Sequence, residues 1–338
     1  MELKKSVLKV LTMLGKIVLA GVLAIVVLSV FCYLFCFSGV HIHNDSGATD
    51  YKWMPNQWKS TIFEGHAWLK MDENGFNNAS GVQESTDILL MGSSHMEAVN
   101  IAPDKNVASL MNESLPLVTY NIGTSGHNIY TCVKNMDAAL EQYDPDAYVI
   151  LETSTVSLSV PQMKKVLDGT MGTIPSYDSG ILFTLQKNVP AIKSIYKNLD
   201  DWRAADQPSV VVKPAAQDME EYARVLREFI QKAASSAKGR GVTLIIFYHP
   251  QSKIDETGAY VNTTDPEKLA LFSSACEEQS VVFVDMTQSF MEMYGQEHVL
   301  PHGFSNTAVG AGHLNAHGHR AIAQTLINKI KENSEYGA

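Results

Sequence analysis

Asp87-Ile-Leu-Leu-Met-Gly-Ser-Ser-His95 is the stretch on which the fold turns. Four consecutive apolar residues, Ile88–Met91, stop at a Gly-Ser-Ser turn. An unbroken apolar run of that length reads as a strand buried on both faces, as in a parallel sheet covered by helices. The turn after it places the Ser94 hydroxyl where strand gives way to helix. Four further runs repeat the strand pattern: 118–122 before Gly123-Thr-Ser-Gly126, 147–151 after Asp144-Pro-Asp146, 242–248 before His249-Pro250, and 281–284 before Asp285.

Helical patterns separate these runs. Residues 127–143 form one. Asp218, with Glu221 three residues on, opens a second whose Tyr222, Val225, Leu226, Phe229 and Ile230 share a face. Thr264-Asp265-Pro266 opens a third, with proline at a permitted first-turn position. Ile322, Leu326 and Ile330 mark the last, over 316–330. Strands alternating with helices predict an α/β domain, a three-layer doubly wound parallel sheet. Residues 160–215, richer in Pro and Gly, read as an insertion.

The N-terminus predicts a membrane anchor. Lys4, Lys5, Lys9 and Lys16 precede an uncharged apolar run from Ile17 to Phe37, about the length that crosses a bilayer core. No small-residue cleavage site follows it. Lysines stay cytoplasmic, so the rest of this single-pass chain is expected on the extracytoplasmic face of the cell membrane. The expected organisation is a cytoplasmic tail (1–16), a transmembrane helix (17–38), a stem with Trp53, Trp58 and Trp68 (39–83), and the α/β domain (84–334).

The net charge of the whole chain is -10. The first forty residues hold four lysines and Glu2, so the remainder carries 22 basic against 35 acidic residues, or -13. Such a surface repels polyanions, which argues against nucleic acid as a partner. Cys132 and Cys276 lie in apolar helical patterns and are expected as buried free thiols. No cofactor is expected: Gly123–Gly126 lacks the third glycine of a dinucleotide fingerprint, and there is no Walker lysine. His95, His127, His249 and His313 fall near strand ends, where a metal cluster is the alternative to a polar cleft, but no metal is expected, because no paired acidic ligands stand at metal spacing.

Ligands of an open parallel sheet bind outside the carboxyl ends of its strands. Those ends hold Gly92–His95, Gly123–His127, Glu152–Thr155, His249-Pro250 and Asp285. A serine hydroxyl needs a base to act as nucleophile, and His313, in Gly312-His-Leu-Asn-Ala-His-Gly318, is the candidate. The N–H groups of Ser94 and Gly126 are candidate oxyanion donors, with the hydroxyl of Thr153, Ser154 or Thr155 as a third.

These blocks resemble the SGNH (GDSL-like) hydrolases and acyltransferases. Gly92-Ser93-Ser94 is similar to the family's Gly-Asp-Ser block. Asn121–Gly126 is similar to its second block, residues 145–155 occupy the third, and His313–Gly318 the last. The resemblance implies Ser94 as nucleophile, His313 as base and Gly126 in the oxyanion hole. Thr153 and Thr155 stand where the family has glycine and asparagine, and Gly310 where it has aspartate. That leaves either a Ser94–His313 dyad or Asp285 as third member. The resemblance further implies an esterase or O-acyltransferase working on acylated cell-surface polysaccharide, with a membrane acyltransferase as possible partner. The rival expectation is a non-catalytic surface protein that binds such a glycan or assists an acyltransferase.

Overall fold

Five apolar runs meet in one parallel sheet because each side of each run has helices to bury against. A computed structural model of the chain describes residues 2–35, 39–61, 64–175, 179–196 and 218–333. Helix α1 spans Glu2–Phe35. Two short hairpins follow, β1 (His41–His43) with β2 (Tyr51–Trp53), and β3 (Trp58–Thr61) with β4 (Ala67–Lys70). The α/β unit then runs β5 (Ile88–Met91), α2 (Ser94–Glu97), α3 (Val107–Ser114), β6 (Thr119–Asn121), α4 (Ile129–Tyr143), β7 (Tyr148–Thr153), α5 (Val160–Leu167), α6 (Gly180–Asn188) and α7 (Met219–Gly239). It closes with β8 (Thr243–Tyr248), α8 (Pro266–Glu278), β9 (Val282–Asp285), α9 (Thr287–Glu297) and α10 (Ala316–Asn333).

The sheet order is β6-β5-β7-β8-β9, every pair parallel. Counted within the sheet this is 2-1-3-4-5, the flavodoxin-like doubly wound order. The predicted three-layer α/β fold is the observed one. Leu89, Met91, Val149, Leu151, Leu244 and Ile246 face a core built on α4, α5, α7 and α8. Their alternates Ile88, Leu90, Ile150, Ile245 and Phe247 face α3, α9 and α10. Helix α5 lies inside the segment read as an insertion, yet it packs Val160, Met163 and Val166 into the first of these cores. Residues 176–178 and 197–217 of that segment lie outside the described residues.

Helix boundaries follow side-chain caps. Helix α4 starts at Ile129 because Asn128 accepts from the N–H groups of Tyr130 and Thr131. Asp218 caps α7 in the same way. Cys132 and Cys276 are buried free thiols.

Helix α1 is 34 residues and so about 51 Å long at 1.5 Å per residue. An 18-residue window within Lys4–Phe35 has a mean hydropathy of 2.9 and is little buried, so the helix is long and apolar enough to cross a membrane. The helix is continuous through the lysine-bearing residues 2–16. At its far end the Tyr33 carbonyl accepts from the Ser60 hydroxyl at 2.8 Å, and the Tyr33 ring meets Trp68 edge-on. Trp68 stacks on Trp58 at 4.4 Å.

The stem is clamped to the sheet. Asp72 accepts from the N–H groups of Asn74 and Phe76 and from the Tyr120 hydroxyl at 2.8 Å. Asn78 exchanges two hydrogen bonds with the backbone of Asn121, at 2.9 and 3.0 Å. His127, 6% exposed, accepts from the Asp50 N–H and packs beside Tyr51. Burial, reinforced by Lys134 and opposed by Asp50, lowers its pKa to about 4. His41, against Trp53 and Tyr51, is lowered too, by burial and by Lys59.

A titrating group whose folded pKa lies below its unfolded value takes up its proton later in the fold than in the open chain. His127 therefore contributes fully above about pH 6.5, and that contribution is lost as pH falls toward 4. Between pH 7 and pH 5 the loss is about 2 kcal/mol. Urea unfolding of the full chain in detergent, compared with His127→Gln, checks this. The substitution should remove about that much of the acid sensitivity, and an unchanged difference between the two pH values refutes it.

Candidate active site

The carboxyl ends of β5 and β7 flank the point where the strand order reverses, the expected place for a ligand in this fold. Strand β5 ends at Met91. A Cβ on Gly92 would lie 2.6 Å from Met96 and 2.9 Å from Glu152, so only glycine fits there. The Ser93 hydroxyl caps α2 by accepting from the His95 N–H at 3.2 Å. Ser94 is thereby the first residue of α2, and its N–H has no acceptor within the helix.

The Ser94 Oγ lies 2.8 Å from His313 Nε2. These two residues, 219 apart in sequence, are thus brought together as expected. His313 precedes α10, and Asn315 fixes its loop. The Asn315 amide donates to the carbonyls of Leu300 (2.7 Å) and Gly303 (3.0 Å), and its oxygen accepts from the His317 N–H.

The carboxylate on His313 comes from the stem. Glu64 accepts from His313 Nδ1 and, at 2.9 Å, from the His313 N–H. A Cβ on Gly312, where φ is +96°, would sit 2.9 Å from the Glu64 carboxylate, so glycine at 312 makes the space this acid occupies. With Nδ1–H directed at Glu64, Nε2 keeps a lone pair for the serine proton.

Asp285 does not fill the third position. Its carboxylate accepts from the N–H (2.9 Å) and hydroxyl (2.6 Å) of Thr287 and so is spent on the turn that leads into α9. It ends β9, three strands from β5, which at ~4.8 Å per strand is roughly 14 Å away. Thr155 is also committed elsewhere. It is exposed, its N–H donates to Thr153 Oγ1, and its own Oγ1 accepts from the Ser157 N–H. Among the described residues it makes no hydrogen bond to Ser94 or His313.

The Gly126 loop packs against α2. A Cβ on Gly123 would lie 2.6 Å from the Glu97 backbone, and Thr124 N–H donates to the Gly92 carbonyl at 3.0 Å. Buried Glu97 ties three segments together: it accepts from Trp53 Nε1 at 2.7 Å and from the Ser125 hydroxyl. Gly126 has φ +79°, and the Tyr51 hydroxyl would lie 2.7 Å from any Cβ there. Tyr51 also lines a cavity of about 590 Å³ with Ile174, Leu182, Phe183 and Lys193, between stem and α6.

Under the Gly92–His95 loop, Glu152 is 1% exposed. It accepts from the Ser93 N–H and bonds His249 Nε2, both at 2.7 Å. Burial alone would raise its carboxyl. The His249 hydrogen bond and attraction, with His95 and the Ser93 N–H, outweigh that and hold it at about 2. His95 Nδ1 accepts from the Leu314 N–H at 3.2 Å.

Sequence reasoning missed Glu64 and Tyr51; it placed Glu152 and His249 at the strand ends but not as a pair. The aspartate absent at 310 signalled that an acid had to come from elsewhere, but nothing pointed to residue 64.

No family model matches the chain, and no curated protein matches it. Solved structures do resemble it. The psychrotrophic esterase EstA from Pseudoalteromonas sp. is 14% identical at a TM-score of 0.38, over 72% of this chain and 96% of its own. A lipolytic protein of the G-D-S-L family from Veillonella parvula is 13% identical at 0.38, over 72% and 97%. The acetyl xylan esterase AlAXEase is 15% identical at 0.41, over 72% and 99%.

Proposed function

We propose that this chain is a membrane-anchored SGNH-type serine esterase or O-acyltransferase that acts on acylated cell-surface glycans, its α/β domain on the extracytoplasmic side. The observation that carries the proposal is the continuous array of Ser94 Oγ, His313 Nε2, His313 Nδ1 and the Glu64 carboxylate. The lysines before the apolar part of α1 support the orientation.

The chemistry follows from that array. Ser94 Oγ attacks the ester carbonyl while His313 Nε2 takes its proton. The Nδ1–H stays on the imidazolium that forms, and Glu64 stabilises it. The negative charge moves to the former carbonyl oxygen, where the N–H groups of Ser94 and Gly126 are the donors. Collapse breaks the C–O bond and returns the proton from His313 to the leaving alcohol. In the second half-reaction His313 deprotonates water, giving an esterase, or a sugar hydroxyl, giving an O-acyltransferase. The cavity sharing Tyr51 with the Gly126 loop is the candidate acceptor site.

A fluorophosphonate tests the serine directly. The full chain in detergent should gain one phosphonyl group, located on Ser94 by peptide mass. His313→Ala should label at least about 100-fold more slowly, the scale of a lost general base. Absence of labelling, or labelling that persists in Ser94→Ala, favours the binding-protein reading, to which the turned-away Thr155 lends its support.

A further inference from the structure

Histidines from four separate segments converge beneath the nucleophile loop. His95 follows Ser94, His249 ends β8, His302 pairs with Leu314 in an isolated bridge, and His319 stands on α10. One ring nitrogen from each of His95, His249 and His302 lies within 4.8 Å of the other two. The ring centroids are 4.6, 5.6 and 5.7 Å apart. Three imidazoles arranged tetrahedrally about one ion, with metal–nitrogen bonds of about 2.0–2.1 Å, have centroids roughly 5 Å apart.

The hydrogen bonds leave lone pairs free on these rings. The Glu152 carboxylate holds the proton on His249 Nε2, so Nδ1 is the free acceptor, and among the described residues it has no hydrogen-bond partner. Ser252 Oγ lies 2.8 Å from His302 Nδ1, and buried Nε2 is likewise without a partner. Both nitrogens of His319 share that condition. His249, His302 and His319 are 0%, 1% and 0% exposed. Buried polar nitrogens in native proteins find a partner, and one that finds none in the protein takes water or an ion.

We propose that His95, His249 and His302 bind a zinc-class divalent metal ion. The all-imidazole donor set suits such an ion. Glu152 behind His249 and Ser252 behind His302 are the outer partners that fix ring orientation in metal sites. Three protein ligands leave the fourth position open. Whichever nitrogen His95 uses, the Leu314 N–H loses its acceptor, a cost small beside three metal–imidazole bonds. The ion joins the nucleophile loop, the end of β8 and the loop before the base at one point, so its role is that of a staple.

The test is independent of ester chemistry. Full-length protein in detergent, stripped with a chelator, is titrated with Zn2+ by calorimetry and with Co2+ by visible absorption. One Zn2+ per chain is expected, with a tetrahedral Co2+ spectrum and a rise in Tm on loading. His302→Gln should weaken Zn2+ binding by more than about 100-fold, and Ser252→Ala, which removes no ligand, by about tenfold. Absence of stoichiometric binding overturns the proposal. So does unchanged affinity in His302→Gln, which would place the ion on surface histidines. Should His302→Gln fail to fold, unchanged affinity in Ser252→Ala overturns it instead.

Discussion

Ser94→Ala should lower kcat/KM for an activated acetate ester by about a million-fold, the order lost when a serine nucleophile is removed from an assembled triad. At about 1.4 kcal/mol per factor of ten this is roughly 8 kcal/mol of transition-state stabilisation. No part of it comes through folding. Ser94 Oγ bonds only His313 among the described residues, and the cap of α2 belongs to Ser93. Alanine is tolerated at a first helical position, so the unfolding midpoint should stay within about 1 kcal/mol of wild type. Steady-state hydrolysis by the two proteins, with melts alongside, reads both quantities. A variant that keeps a tenth of the activity would remove Ser94 from the mechanism.

Glu64→Ala is expected to cost about 10,000-fold in kcat with little change in KM, the order lost when the acid of a triad is removed. The substitution takes away the acceptor that holds the proton on Nδ1 and the charge that would stabilise the imidazolium. Glu64→Asp should fall between the two, since the charge persists on a shorter arm. The same logic applies to truncation. A chain starting at residue 84 keeps Ser94 and His313 but lacks Glu64, together with the Asp72 and Asn78 clamps on Tyr120 and Asn121. It should be inactive where a chain starting at Val40 is active. Glu64→Ala activity within tenfold of wild type would demote this acid to a structural contact.

The sheet was legible because its signal is local and repeated. Runs such as Ile88–Met91 and 242–248 are apolar on consecutive residues, which only a doubly covered strand sustains. Ser94 and His313 were legible because each stands where a strand–helix turn or helix start exposes it. Glu64 was not. It lies in a polar segment without periodicity, and its partner is 249 residues away, so neither spacing nor pattern marks it. Asp285 was chosen for its position at a strand end, but order within the sheet puts β9 at the edge opposite β6, and the linear sequence does not state that order. The histidine cluster was half visible: His95 and His249 stand at strand ends, whereas nothing in the sequence brings His302 and His319 to them. Its members come from four elements whose convergence depends on the register of β8 against β7 and on the turn before α10.

The source of Glu64 joins two parts of the molecule mechanically. From the end of α1 the connection runs through the Tyr33–Ser60 bond and the Trp58–Trp68 stack to the β3–β4 hairpin. Glu64 sits in the loop of that hairpin, and from there the connection reaches His313. Tether and acid lie on one load path. Tilt of α1 therefore acts on the same hairpin that presents Glu64 to His313.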